Sequence, residues 1–141
     1  MRRRDVEMLR RVASHALDRK RQAVREQTEA VDVLEAAMAR IEQESADERG
    51  RAEGDPRSML LLPDYLEEQR SRRHRLAADL AAAREELDRR VRAAHEAWLE
   101  VRRLDEMLAR IEAAGRAALA RREATFLDWL AERQHARVRK D

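Results

Sequence analysis

Few side chains in this chain stand at spacings that could carry chemistry. Glu132 and His135 form one Glu-x-x-His step, which puts a carboxylate and an imidazole on one face of a helix. A carboxylate-bridged di-iron bundle needs two such steps and glutamates from two further helices. This chain offers neither. Its four histidines, His15, His74, His95 and His135, are otherwise scattered without ligand spacing. Cysteine is absent, which removes thiolate chemistry and any disulfide framework. Gly50, Gly54 and Gly115 lie too far apart to form a phosphate-cradling loop. Carboxylates are abundant, but each has arginines within a turn. Glu86 and Arg90, at i and i+4, typify surface ion pairs worth a few tenths of a kcal/mol. The residues therefore predict no catalytic group, no metal and no cofactor.

The elements that would carry these side chains are legible in the spacing of the apolar residues. One frame runs Leu17, Lys20, Val24, Gln27, Val31, Leu34, Met38, Ile41. A second runs Leu62, Leu66, Gln69, Arg73, Leu76, Leu80, Ala83, Leu87, and on through Arg90, Ala94, Ala97, Val101, Leu104, Leu108 and Ile111. Steps of three and four average 3.5, the repeat that lays one continuous seam along a helix. Composition agrees: charged residues make up 43% of the chain and aromatics only 3%, which suits a coiled coil and leaves little to fill a globular core. Polar seam residues (Lys20, Gln27, Gln69, Arg73 and Arg90) either fix register or carry their heads out to water on long stems.

Two seams with one break between them predict an all-α fold, a long two-helix antiparallel coiled-coil hairpin. Helix one is expected over about residues 3–49, with Gly50 as the left-handed residue that closes it. The tip loop is expected over 50–62, and helix two from Pro63 to about Val138, with Leu62 as cap and Asp64, Glu67 and Glu68 in its first turns. Residues 1–141 then form a single domain. Folding about Asp55–Pro56 places Ile41 near Ser71, Val24 near Asp88 and Leu9 near Arg103. Helix one runs out near Ile111, so helix two overhangs with Leu119, Phe126, Leu127, Trp129 and Leu130 still to cover. Apolar groups on an unpaired helix call for a partner. Gly115 falls near the exit point, as a bend or as a tolerated small residue.

Charge is balanced over residues 1–49 and 64–111, and the basic excess sits at the ends. Arg2, Arg3, Arg4, Arg10 and Arg11 face only Asp5 and Glu7; Arg133, Arg137, Arg139 and Lys140 face only Asp141. A hairpin makes its terminal end basic. Nucleic-acid binding is not expected: acids interleave the bases, and no asparagine is available to read adenine. The longest apolar run is Met59 to Leu62, far short of a membrane span of about 20 residues, so no direct membrane insertion is expected. Nor does Met1-Arg2-Arg3-Arg4-Asp5 lead into the apolar stretch of a secretory signal.

Three short segments are similar to a known family. Pro63-Asp64-Tyr65-Leu66, the run Val101-Arg102-Arg103-Leu104-Asp105-Glu106-Met107-Leu108, and Arg121-Arg122-Glu123 followed by Leu127-Asp128 resemble the flagellar type III export protein FliJ and the related injectisome stalk proteins. Ala124, Thr125 and Trp129 depart from that pattern. The resemblance implies a non-enzymatic stalk, cytoplasmic and peripheral at the inner face of the cell membrane. Its terminal end would enter the pore of a hexameric export ATPase, and another surface would touch an export-gate membrane protein. Escort of export chaperones is implied as well. On matching motifs the resemblance assigns Arg121, Arg122, Glu123, Phe126, Asp128 and Trp129 to the ATPase contact. It assigns Tyr65 and Leu66 to the gate contact. A generic scaffold that dimerises through its C-terminal helix is the competing expectation.

Overall fold

The computed structural model describes residues 1–140 and is all-α: helix α1 spans Arg3–Ala52 and helix α2 spans Pro56–Lys140. The two pack against each other as an antiparallel hairpin. At the start of α1 the Arg2 carbonyl accepts the amides of Asp5 (3.0 Å) and Val6 (3.2 Å), while the Asp5 carboxylate accepts the Arg2 amide at 3.3 Å. That reciprocal arrangement satisfies donors the helix itself cannot.

The tip is much shorter than the expected 50–62 loop. Only Glu53, Gly54 and Asp55 separate the helices. Gly50 is not the closing residue: no glycine has a positive φ, and α1 continues to Ala52, which is 1% exposed. Nor does α2 wait for Pro63 with Leu62 as its cap. Asp55 caps it, accepting the Arg57 amide at 3.1 Å and the Ser58 hydroxyl at 3.0 Å, while its carbonyl takes the Met59 amide at 3.0 Å. Pro56 follows at the first helical position, where a missing N–H costs nothing. The better cap seven residues upstream thus wins, and Pro63 is carried inside the helix. There it leaves the Met59 carbonyl without its intrahelical donor.

The chain forms two compact units. One comprises Ala16–Ala97, the other Met1–His15 with Trp98 onward. In the first, Leu17, Val31, Ile41, Ala52, Gln69 and Leu80 are buried, and Val24, Leu34, Met38, Leu62, Leu66, Leu76, Ala83 and Leu87 are half-buried along the seam. Cross-helix contacts set its register: Arg73 with Glu42 at 2.9 Å, Arg84 with Glu35 at 3.0 Å. In the second unit Val6, fully buried, and Leu104 form the centre, with Val101, Leu108 and Ile111 half-buried. Arg3 bridges to Glu112 at 3.1 Å and Arg10 to Asp105. The terminal arginines therefore face more acids than local sequence shows, since α2 supplies two of them.

Polar seam residues divide by geometry. Lys20 and Arg73 reach out and are exposed. Gln27 and Arg90 turn inward instead. The Gln27 amide donates to the Ala83 carbonyl of α2 at 2.9 Å, and the Arg90 guanidinium donates to the Ala23 carbonyl of α1 at 3.0 Å. Each helix thus places one side chain on the main chain of the other. Glu86 holds Arg90 from the same helix at 3.0 Å and Arg89 at 2.8 Å. Hydrogen bonds from Arg90 and then Arg89 hold its carboxyl below the usual carboxylate range. Among the described residues, no helix is long and apolar enough to cross a membrane.

Candidate functional site

α2 outruns its partner helix soon after Glu112, which still bridges to Arg3. Ala118 is half-buried, and every residue from Leu119 to Lys140 is exposed. All six residues assigned to the ATPase contact lie on this stretch, so none of them is needed for packing. Phe126 and Trp129 stack, with ring centroids 6.0 Å apart and planes at 24°. This follows from their i,i+3 spacing, which sets side chains side by side on a helix. Arg133, one turn further on, lays its guanidinium 4.7 Å from the Trp129 ring, a cation–π contact of about 0.5–1 kcal/mol at an exposed site. The result is an aromatic–cation patch standing in water.

A shallow depression runs along this face, lined by Ala118, Arg121, Arg122, Thr125, Phe126 and Trp129. It gathers four of the six expected residues. Glu123 and Asp128 are exposed but lie outside it. Thr125 is occupied with its own helix, its hydroxyl donating to the Arg121 carbonyl at 2.9 Å. Arg133 is the member that sequence reading did not single out as part of the patch; its place four residues after a tryptophan was the available signal. Of the terminal basic cluster, Asp141 lies outside the described residues.

Tyr65 and Leu66 belong to the other unit and have a different character. Both are half-buried at the seam. The Tyr65 hydroxyl accepts the Gln69 amide at 2.8 Å, and Leu66 lines a narrow crevice with Ile41, Ser45 and Gln69. Gln69 is 6% exposed and its Oε1 atom has no hydrogen-bond partner. Much of both residues is thus spent on holding the hairpin. The exposed apolar surface nearby is instead Met59, Leu60 and Leu61, with Leu60 81% exposed. In the sequence these three form one apolar run with Leu62, and only Leu62 falls in the seam frame, which is the signal that the others are exposed.

All four histidines are exposed, as is Glu132, and among the described residues no three metal-ligating side chains gather. No protein-family model matches the chain, and neither a curated protein nor a solved structure shows significant similarity to it.

Proposed function

We propose that this protein is the non-enzymatic stalk of a flagellar or related type III protein export ATPase, linking the ATPase ring to an export gate and escorting export chaperones. The observation that carries the reading is the uncovered end of α2: Phe126, Trp129 and their arginines are held on a helix with no partner of its own. A hairpin whose second helix outlasts the first, with an aromatic and basic extension, suits insertion into the pore of a hexameric ring. The resemblance of Arg121-Arg122-Glu123 and Leu127-Asp128 to the FliJ pattern supports the same assignment. In this reading Arg121, Arg122, Glu123, Phe126, Asp128 and Trp129 meet the ATPase. Tyr65 and Leu66, partly committed to the seam, offer only an edge to the gate protein.

The test is to mix the purified chain with the hexameric export ATPase of its own organism. The stalk reading expects co-elution, a shift of the ATPase toward hexamer and faster ATP turnover. Phe126→Ala with Trp129→Ala abolishes all three while leaving helicity unchanged. An ATPase whose size and turnover ignore the chain would sink the reading.

A further inference from the structure

The overhang of α2 has a sidedness that its composition hides. Successive residues of an α-helix are about 100° apart. On that wheel Leu119, Phe126 and Leu130 fall within about 40° of one another, with Trp129 and Leu127 flanking them at about 80° on either side. The basic residues are not opposite this stripe. Among the described residues, Arg116, Arg122, Arg133, Arg137 and Lys140 lie within about 60° of its centre, against Glu123 and Glu112, the latter already paired with Arg3. The far side is balanced, Arg121 and Arg139 against Asp128 and Glu132. The whole positive excess of the segment therefore shares one face with its large apolar side chains.

We propose that this face binds an anionic lipid surface, with the helix lying in the plane of the interface. Charge complementarity selects the occupant. A second copy of the chain would bring the same positive excess against itself, so self-pairing through this face is opposed. The face is also a bare helix back with shallow depressions, one at Phe126 and Trp129 and one where Arg116 and Leu119 adjoin Arg3. Tryptophan, phenylalanine and leucine interleaved with arginine suit a headgroup layer: the rings enter the acyl boundary, and the arginine stems carry their charge back to the phosphates. The binding is interfacial and spans nothing. It does not rest on the stalk reading, since vesicle binding and ATPase capture can succeed or fail independently.

The experiment is co-sedimentation of the full chain with vesicles of phosphatidylglycerol or of phosphatidylcholine, at low and at high salt. Each basic residue near an anionic surface contributes about 1 kcal/mol. Preference for the anionic vesicles is therefore on the order of a hundredfold or more at low salt, and it shrinks as salt rises. Arg133→Glu, on the stripe, weakens that binding on the order of tenfold. Arg139→Glu makes the same charge change on the far side and leaves most of the binding intact. Phe126→Ser with Leu130→Ser weakens binding to anionic vesicles even where charge is unchanged. Three results would overturn the proposal: no sedimentation with anionic vesicles at low salt, equal losses for Arg133→Glu and Arg139→Glu, or polyglutamate binding as tight as the vesicles. The last would assign the face to an acidic protein.

Discussion

Replacing Gln69 with leucine raises the stability of the hairpin. Gln69 is 94% removed from water, yet its Oε1 atom accepts nothing. A buried acceptor left without a donor costs about 1–3 kcal/mol. Its Nε2 atom does make one bond, to the Tyr65 hydroxyl at 2.8 Å, worth about 0.5–1.5 kcal/mol. Tyr65 is half-buried, so its hydroxyl recovers a water partner when the amide is gone. Leucine fills a similar volume between Leu66, Ile41 and the neighbouring turn, and adds apolar burial of about 1 kcal/mol or more. The net gain is about 1–3 kcal/mol, which moves the melting temperature by roughly 3–5 °C for each kcal/mol. Urea unfolding followed by circular dichroism reads it as a higher midpoint at unchanged slope. Gln27→Leu is the internal comparison. Its amide is satisfied by the Ala83 carbonyl at 2.9 Å, so the same exchange there is close to neutral. If Gln69→Leu destabilises the protein, or gains no more than Gln27→Leu, the unpaired-acceptor argument fails.

Other changes test other parts of the fold. Leu104→Ala, at the centre of the terminal unit, costs about 2–4 kcal/mol and speeds amide exchange in residues 3–15, read by hydrogen-exchange mass spectrometry. Asp55→Ala removes the cap of α2 and costs about 1 kcal/mol; exchange should rise first at residues 56–62. Gly115→Ala gains about 1 kcal/mol of helix stability, because a Cβ there meets nothing within 4 Å; a rise in the helical signal on heating checks it. Glu86 has a lowered pKa in the folded chain. Its contribution is therefore full above the unfolded value near 4.5 and is lost as pH falls through the folded one. Glu86→Gln should flatten the stability profile in that acid window, and an unchanged profile would show the Arg90 and Arg89 contacts to be idle.

Much of the fold was legible because a 3.5-residue seam is a long-range pattern, and long-range patterns survive local noise. The register was close as well: Val24 was expected near Asp88, and the neighbouring Ala23 takes Arg90. The tip was misplaced because Gly50 and Pro63 are local signals. Each signals a boundary in isolation, but an established helix carries a glycine or a proline when a better cap lies beyond it, as Asp55 does. The polar seam positions could not be resolved in sequence. Arginine and glutamine fit either the interior or the surface, and only the facing carbonyls of Ala23 and Ala83 decide for Arg90 and Gln27. Phe126 and Trp129 stand out in the sequence as apolar residues beyond the reach of α1, whereas Arg121, Arg122, Glu123 and Asp128 are singled out only by the FliJ resemblance. Their sidedness was also present in the spacing, but it becomes informative only once the helix is known to lack a partner on every side.

The exchange of side chains between the two helices has a consequence for how this protein tolerates variation. Gln27 and Arg90 both end on peptide oxygens, atoms that no substitution deletes. A saturation scan of these sites should therefore come out lopsided: position 90 intolerant of residues that cannot donate, position 27 tolerant of apolar residues of similar volume, and positions 23 and 83 limited only by bulk. Such a contact can persist while the sequence around it drifts, and pairwise covariation would pass over it.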